Sequence, residues 1–280
     1  MPGDNFNQYC DNLLVTYNRR NSKTLTRRLE SLCSFLIEDD NHVVQTMFGG
    51  SVQKGTYVTG LSDVDVLLIV NESSLLNQPL SKVKEFVKGA IKRLLPNNPV
   101  QTGNLAVAVK YSDKTEIQLL PAIRTNSGGV RIAQHGTSKW SRIARPAEFA
   151  EKLAKVNTAK GGRVVPVIKL AKAMADCLIT KKDRKLSGYH LESLAVDAFA
   201  DYQGSLDPKA MLNHLFRHSA KAVMSPIVDS TGQSRYVDDY LGSAGSGPRK
   251  RASTYIGQMR GKINSCKTRA EFNSLFCIGG

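Results

Sequence analysis

The sequence lacks the features that mark membrane and secreted proteins. Its longest unbroken aliphatic run, Val66–Val70, is far shorter than the roughly 20 residues that a membrane-spanning helix needs. The first residues contain no basic segment followed by an apolar one, which is the pattern of a signal peptide. No low-complexity tract is present, and 41% of the residues are hydrophobic. These features predict a folded cytoplasmic protein with no membrane partner.

Cysteine is also scarce, and no two cysteines have the C-x-x-C spacing of a zinc or redox motif. An odd number of scattered cysteines is typical of reduced thiols in a cytoplasm. We therefore expect reduced cysteines and no zinc knuckle. The five residues are Cys10, Cys33, Cys177, Cys266 and Cys277.

Acidic residues are rare where basic residues cluster. The formal net charge is +15; residues 18–28 carry five basic and no acidic side chains, and residues 249–269 carry seven and none. Residues 160–185 carry eight basic and two acidic side chains. Such segments attract polyanions, and binding through them weakens with salt. We expect contact with an activating RNA there; the alternative is that the charge serves nucleoside triphosphates and solubility.

The most informative segment joins a glycine-rich turn at residues 49–56 to two carboxylates at the head of an apolar strand. Side chains alternate along a strand, so Asp63 and Asp65 project to the same side. Neighbouring carboxylates suit hard divalent cations such as Mg²⁺. Gly50 lets the backbone approach a phosphate closely, and Ser51 donates to a phosphate oxygen. A phosphate-binding turn beside a pair of metal-binding carboxylates is typical of enzymes that transfer phosphoryl or nucleotidyl groups.

The string G-S-x-x-x-G-T followed by S-D-x-D resembles the polymerase-β-like nucleotidyltransferases. The likeness is to the branch that holds oligoadenylate synthases, cGAS and the bacterial cGAS/DncV-like nucleotidyltransferases (CD-NTases). It implies an α/β (α+β) fold, with a mixed sheet in one lobe, a mainly helical C-terminal lobe, and an active site in the cleft between them. Residue periodicity indicates a strand at 64–70, a hairpin near 105–120, and helices after residue 145. We predict a catalytic lobe over residues 1–150, including the N-terminal helix, and a helical nucleotide-binding lobe over 151–280.

The resemblance also implies two Mg²⁺ or Mn²⁺ ions, with Asp63 and Asp65 as shared ligands. One ion lowers the pKa of an attacking ribose hydroxyl, and the other neutralises the triphosphate and the pyrophosphate leaving group. In oligoadenylate synthases a third carboxylate stands three residues before a Pro-Ala pair, where this chain has Gln118. We predict that Glu116, two residues earlier on the same strand face, supplies that carboxylate. The alternative is that Gln118 occupies the third ligand position and that catalysis uses two carboxylates or is impaired. If Glu116 is the third carboxylate, we predict that Gln118 contacts the bound nucleotide.

The helix pair that contains Lys169, Lys172, Ser187 and Tyr189 resembles the nucleotide-binding helices of oligoadenylate synthases. Ser187-Gly-Tyr189 is also similar to the archaeal CCA-adding enzymes. By that resemblance Lys172 holds the triphosphate, and Tyr189 stacks on the nucleobase beside Ser187. Lys169 lies one helical turn before Lys172 on the same non-apolar face, so we expect it to help with the phosphates. The alternative is that the lysines solvate an exposed helix face and that Tyr189 packs at a helix start.

The predicted function is therefore synthesis of a cyclic or linear di- or trinucleotide second messenger from nucleoside triphosphates. In such systems the product acts on a downstream effector of the signalling operon in antiphage defence. One alternative is a template-independent RNA-end nucleotidyltransferase of the CCA-adding or poly(A) type, and another is a catalytically inactive RNA-binding homologue. A length of 280 residues favours the first, since archaeal CCA-adding enzymes carry further domains that grip tRNA.

Overall fold

Seven consecutive apolar or acidic residues, Val64–Val70, form the strand β2 around which a mixed sheet is built. The computed structural model describes residues 5–18, 22–38, 43–48, 50–58, 64–70, 78–113, 115–125, 129–132, 140–141, 143–179, 186–230 and 235–278. Within these ranges the sheet has six strands in the order β1-β2-β5-β4-β3, and β6 also pairs with β5. The pairing of β2 with β5 is parallel and the other pairings are antiparallel. The other strands are β1 (Val43–Phe48), β3 (Val100–Thr102), β4 (Val107–Lys110), β5 (Glu116–Arg124) and β6 (Val130–Ile132).

The two faces of β2 are buried by different groups. Its valine and leucine side chains at 64, 66 and 68 pack with helices α2 (Ser22–Glu38) and α4 (Leu80–Leu94) in one core. The opposite face holds Leu67 and Ile69, which pack in a smaller cluster. Because side chains alternate, Asp65 lies on this second face at the start of the strand. The first face is thus used for stability, and the second face carries polar groups at one end.

The predicted hairpin is present, and its second strand is longer than the sequence indicated. Strands β4 and β5 pair from Val107 to Lys110, and the Tyr111 N–H closes the turn on the Thr115 carbonyl at 2.9 Å. The sequence pattern ended the predicted hairpin near residue 120, whereas β5 continues to Arg124. The extension arises because β6 pairs with the far end of β5, a non-local contact that a local pattern does not reveal.

The remaining elements are helices, several of which begin at a side-chain cap. Ser187, Asp207, Ser246 and Thr268 each accept a hydrogen bond from a backbone N–H in the first turn of the following helix. No helix in the described ranges has the length and apolarity needed to cross a membrane. The helices are α1 (Phe6–Asn18), α3 (Gly50–Gln53), α5 (Pro146–Ala159), α6 (Val164–Leu178), α7 (Gly188–Phe199), α8 (Pro208–Ala222), a 3₁₀ turn (Asp239–Leu241), α9 (Gly247–Ser265) and α10 (Arg269–Leu275).

The chain divides into two compact units, and the N-terminal helix belongs to the helical one. The sheet unit comprises Arg20–Phe149 with Ser230–Ser234, and the helical unit comprises Met1–Arg19, Ala150–Asp229 and Arg235–Gly280. The sequence pattern placed the N-terminal helix in the sheet-containing lobe, and the structure corrects this: α1 is part of the helical unit.

Aromatic packing explains where α1 lies. The rings of Phe6 and Phe272 lie 5.2 Å apart, edge to face, and those of Tyr9 and Phe276 lie 5.9 Å apart. The Tyr9 hydroxyl also donates to Asn273 Oδ1 at 2.9 Å. The apolar stripe of α1 therefore packs against α10, at the other end of the chain.

The expectation that all cysteines are reduced thiols is wrong for one pair. Cys177 and Cys277 form a disulfide with Cα atoms 5.5 Å apart, while Cys10, Cys33 and Cys266 are free. The paired residues are 100 positions apart in sequence, so short-range spacing rules do not detect them. The bond joins the end of α6 to the segment after α10.

Candidate active site

In the sheet unit, the glycine-rich turn lies directly against Asp65. Gly50 has φ +54, a left-handed conformation that favours glycine, and a Cβ atom at this position would overlap the Asp65 carboxylate. The short helix α3 starts here, and the buried Ser51 accepts a hydrogen bond from the Thr56 N–H on its backbone carbonyl at 2.9 Å. The turn and the carboxylate that the sequence linked by motif are thus in contact.

The register of the parallel strands decides which side chain of β5 lies beside Asp65. Asp65 on β2 is paired with Gln118 on β5, so the two side chains project to the same face. Glu116 lies two residues earlier on that face and accepts a hydrogen bond from Gln118 Nε2 at 3.3 Å. It also forms an ion pair with Lys110 at 3.4 Å. Gln118 is therefore the direct neighbour of Asp65, and Glu116 is linked to this position through the Gln118 amide.

Of the three predicted metal ligands, the structure describes Asp65 and Glu116. Asp63 lies outside the described residues. Within the described ranges, no group of three or more His, Cys, Asp or Glu residues has an arrangement that could hold a metal ion. The oxygen donors that the structure describes on this face are the carboxylates of Asp65 and Glu116 and the amide oxygen of Gln118. Hard oxygen donors of this kind fit Mg²⁺ or Mn²⁺ better than softer metals.

The lysines predicted to bind phosphate are both on α6 of the helical unit, and neither lies on a freely solvated face. Lys172 is 9% exposed, and its ammonium forms an ion pair with Glu192 of α7 at 2.7 Å. Lys169 donates to Asn18 Oδ1 at 2.7 Å. Burial lowers the pKa of Lys169, and the charge of Lys172 lowers it further. The interpretation of these lysines as a simple solvated face does not fit Lys172.

Ser187 and Tyr189 lie at the start of α7, next to Lys172. The Ser187 side chain caps the helix by accepting from the His190 N–H at 3.1 Å. A Cβ atom on the intervening Gly188 would lie 3.4 Å from Lys172 Nζ, so glycine leaves room for the ammonium there. The Tyr189 hydroxyl donates to Asp229 Oδ1 at 2.7 Å. The structure thus brings Lys172, Ser187 and Tyr189 together within the helical unit.

Sequence reasoning missed the groups that hold this region in place, and it misassigned one basic residue. Arg249 was counted in the basic segment 249–269, but its side chain is fully buried in an ion pair with Asp238 at 2.6 Å. Glu192, Asp229 and Tyr240 were not singled out. Glu192 follows the Ser-Gly-Tyr string by three residues, which is the one local signal that could have drawn attention to it.

Comparison with known proteins gives a family match and structural likenesses. Residues 2–157 match the family described as Second Messenger Oligonucleotide or Dinucleotide Synthetase domain. No curated protein matches the sequence significantly. Three similar solved structures bear nucleotides, and their likeness at 12–14% identity concerns the fold.

The first is CdnC of E. coli MS115-1 with ATP, at 14% identity and a TM-score of 0.67, covering 91% of this chain and 90% of that one. The second is a mutant of the Vibrio cholerae dinucleotide cyclase DncV with ATP and GTP, at 14% identity and a TM-score of 0.68, covering 83% and 69%. The third is the Bradyrhizobium diazoefficiens CD-NTase CdnG with GTP, at 12% identity and a TM-score of 0.67, covering 95% and 87%. These likenesses confirm the predicted fold class.

Proposed function

This chain belongs to the Second Messenger Oligonucleotide or Dinucleotide Synthetase family of bacterial cGAS/DncV-like nucleotidyltransferases, and we propose that it makes a cyclic or linear di- or trinucleotide messenger from nucleoside triphosphates. The observation that carries the proposal is the contact between the Gly50 turn and the Asp65 carboxylate. In the reaction a ribose oxygen bonds to the α-phosphorus of a second nucleotide, and the bond to pyrophosphate breaks. The product then acts on a downstream effector in antiphage signalling. We assign the enzyme to the cytoplasm, where its substrates are made.

The residues of the sheet unit fit a divalent cation through hard oxygen donors. Asp65 with Asp63 is our assignment for the shared ligands, and Glu116 for the third carboxylate. When bound, Mg²⁺ or Mn²⁺ neutralises phosphate charge and lowers the pKa of the attacking hydroxyl. Gly50 lets the backbone approach the phosphates, and Ser51 donates to a phosphate oxygen.

The competing assignment for the third position is Gln118, and its pairing with Asp65 gives that alternative weight. Glu116→Gln removes the carboxylate but keeps the shape, and we expect it to lower turnover at least about 100-fold if Glu116 acts on the metal. Gln118→Asp is the matched test of the neighbouring position. Full activity of Glu116→Gln, together with a gain of activity in Gln118→Asp, would move the assignment to Gln118.

The helical unit supplies the contacts that we propose for the substrate. Lys172 lies beside the N-terminus of α7, where the helix dipole already disfavours a cation. The carboxylate of Glu192 offsets this effect, and we assign the Lys172 ammonium to the phosphates of the nucleoside triphosphate. Lys169 and Ser187 are assigned to the same phosphates, and Tyr189 to the nucleobase.

The decisive experiment is incubation with all four radiolabelled nucleoside triphosphates and Mg²⁺ or Mn²⁺, followed by phosphatase treatment. We expect small phosphatase-resistant products with the wild type and none with Asp65→Asn. Asp113→Asn is the control, because Asp113 is an exposed carboxylate of the same unit, paired with Arg28. Label that extends an added RNA would instead indicate an RNA-end nucleotidyltransferase. No incorporation under any condition would indicate an inactive homologue.

We further propose that exposed cations of α9 and the following loop bind an activating RNA through its phosphates. Lys250, Arg251, Arg260, Lys262 and Lys267 are exposed, whereas Arg249 is buried and takes no part. Replacing the exposed set by serine should weaken RNA binding and flatten its dependence on salt. Replacement of Lys152 and Lys155, which are exposed on α5, is the control. Activity indifferent to added RNA, with no salt-sensitive binding, would contradict this part of the proposal.

A further inference from the structure

The turn Ser187–Tyr189 forms hydrogen bonds with buried or partly buried polar side chains that belong to no sequence motif identified above. We propose that Asp229 and Tyr240 are positioning residues for this turn, and that they set the affinity for the nucleoside triphosphate by fixing the Tyr189 ring and the Ser187 backbone. The proposal rests on the proposed function, in which this turn contacts the nucleotide. All residues involved belong to the helical unit.

The first contact is between Asp229 and the Tyr189 hydroxyl. The hydroxyl donates to Asp229 Oδ1 at 2.7 Å, and Asp229 is only 7% exposed. Asp229 is itself fixed, because its N–H donates to the Arg235 carbonyl at 3.2 Å beside an antiparallel bridge. A hydrogen bond to a carboxylate is stronger than one between neutral groups. The far end of the Tyr189 ring is therefore anchored, while the ring sits in the first turn of α7.

The second contact is made by Tyr240, which reaches both Ser187 and His190. The Ser187 N–H donates to the Tyr240 hydroxyl oxygen at 3.1 Å, and this hydroxyl lies 2.8 Å from His190 Nδ1. Burial lowers the pKa of His190 to about 4, so the ring is neutral at pH 7. The Tyr240 hydroxyl then donates to Nδ1, and the proton on Nε2 faces Asp238 Oδ2 at 3.7 Å. Tyr240 thus contacts both the backbone of Ser187, which precedes α7, and the buried side chain of His190 in the first turn of α7.

The third element is Arg249, which makes the support rigid. Its guanidinium pairs with Asp238, and the other oxygen of Asp238 accepts from the Ile227 N–H at 3.0 Å. Asp238 and Arg249 are fully buried. Arg249 also donates to four backbone carbonyls at 2.9–3.2 Å, those of Val223, Ser225, Gly242 and Ser243. The segment that carries Asp229 and Tyr240 is therefore tied to one buried cation.

These contacts have a functional consequence because a stacking ring contributes most when its orientation is already fixed. Loss of a stacked aromatic ring weakens binding on the order of tenfold to a hundredfold. A variant that keeps the ring but removes its hydrogen bond loses only the part of the binding free energy that comes from preorganisation of the ring. We therefore expect Tyr189→Phe and Asp229→Ala each to weaken binding by roughly three- to tenfold, and Tyr189→Ala by more.

The test is equilibrium binding of α,β-methylene ATP, which cannot undergo transfer, in the presence of Mg²⁺. If the ring and the carboxylate act as one unit, the double variant Tyr189→Phe with Asp229→Ala is no weaker than either single variant. Asp229→Asn keeps an acceptor oxygen and should recover most of the affinity. Tyr240→Phe, which removes the contact to Ser187, should weaken binding independently of the Asp229 variants. Tyr202→Phe is the matched control, because it removes a tyrosine hydrogen bond to the Ser205 carbonyl in the same unit.

Additive effects of the Tyr189 and Asp229 variants would overturn the proposal, as would wild-type affinity in Tyr189→Phe. A role in stability alone predicts lower melting temperatures with an unchanged dissociation constant for the folded fraction, which also overturns it. Failure of the proposed function and failure of the positioning role give different results. A wild type that neither binds nor transfers nucleotide removes the proposed function together with this inference. An active wild type whose Tyr189→Ala variant binds normally removes this inference and the assignment of Tyr189 to the nucleobase, and leaves the proposed nucleotidyl transfer standing.

Discussion

Replacing the two partners of the Lys172–Glu192 ion pair, singly and together, separates the stability of the helical unit from its binding of phosphate. The ammonium and carboxylate lie 2.7 Å apart, with side-chain exposures of 8% and 1%. Removing one partner of such a pair leaves an uncompensated buried charge and costs about 3–5 kcal/mol. We therefore expect Glu192→Gln to lower the free energy of unfolding by that amount.

The double replacement Lys172→Met with Glu192→Leu behaves differently. Replacing a buried ion pair by apolar side chains of similar volume is often neutral or stabilising, so we expect stability within about 1 kcal/mol of the wild type. Affinity for a triphosphate should not recover, because a charged hydrogen bond to phosphate contributes about 1.5–3 kcal/mol, or roughly tenfold to a hundredfold. The surface pair Lys88–Glu85, with side-chain exposures of 29% and 63%, is the control, where Glu85→Gln should change stability by less than about 1 kcal/mol.

The assays are urea unfolding followed by circular dichroism, and titration with α,β-methylene ATP. Wild-type affinity in the double variant would refute the assignment of Lys172 to phosphate. Wild-type stability of Glu192→Gln would refute the claim that the pair is buried and coupled.

Three further predictions concern other parts of the chain. Reducing the Cys177–Cys277 disulfide, or changing both cysteines to serine, should lower the free energy of unfolding by up to about 4.7 kcal/mol for a loop of 100 residues, and equal urea midpoints with and without reductant would contradict this. Gly50→Ala forces a side chain into a left-handed conformation at about 1–2 kcal/mol and displaces Asp65, so we expect loss of nucleotidyl transfer with a modest fall in melting temperature; full activity would show that the contact is dispensable. The pKa of His190 is lowered from 6.5 to about 4, so the unfolded state binds more protons between these values, and stability should fall by roughly 3 kcal/mol as pH drops through that window. His190→Gln should remove this part of the pH dependence in urea titrations, and an unchanged profile would exclude His190 as its source.

The strand that carries Asp65 was predictable because its pattern is local. Val64–Val70 has the apolar composition of a buried strand, and the structure forms it over those residues. A helix start at Tyr189 was one of the two alternatives that the sequence offered, and the structure adds that Ser187 caps this helix. Both predictions depend on residues within a few positions of each other.

The neighbours of these residues were not predictable in the same way. The register that pairs Asp65 with Gln118 depends on how two strands some fifty residues apart align, and the local pattern left both Glu116 and Gln118 open for the third position. Arg249 has the same composition signal as the exposed cations around it, yet it is fully buried. Its burial depends on carbonyl groups that converge on it only after folding.

From the sequence alone come the glycine turn, the strand after it, a helix start near Tyr189 and the family, because each depends on residues close together along the chain. Tertiary structure alone decided that α1 packs on α10, that Cys177 meets Cys277, and that Glu192 neutralises Lys172. Such contacts join distant segments, and their energies depend on burial and on distances that exist only in the folded chain.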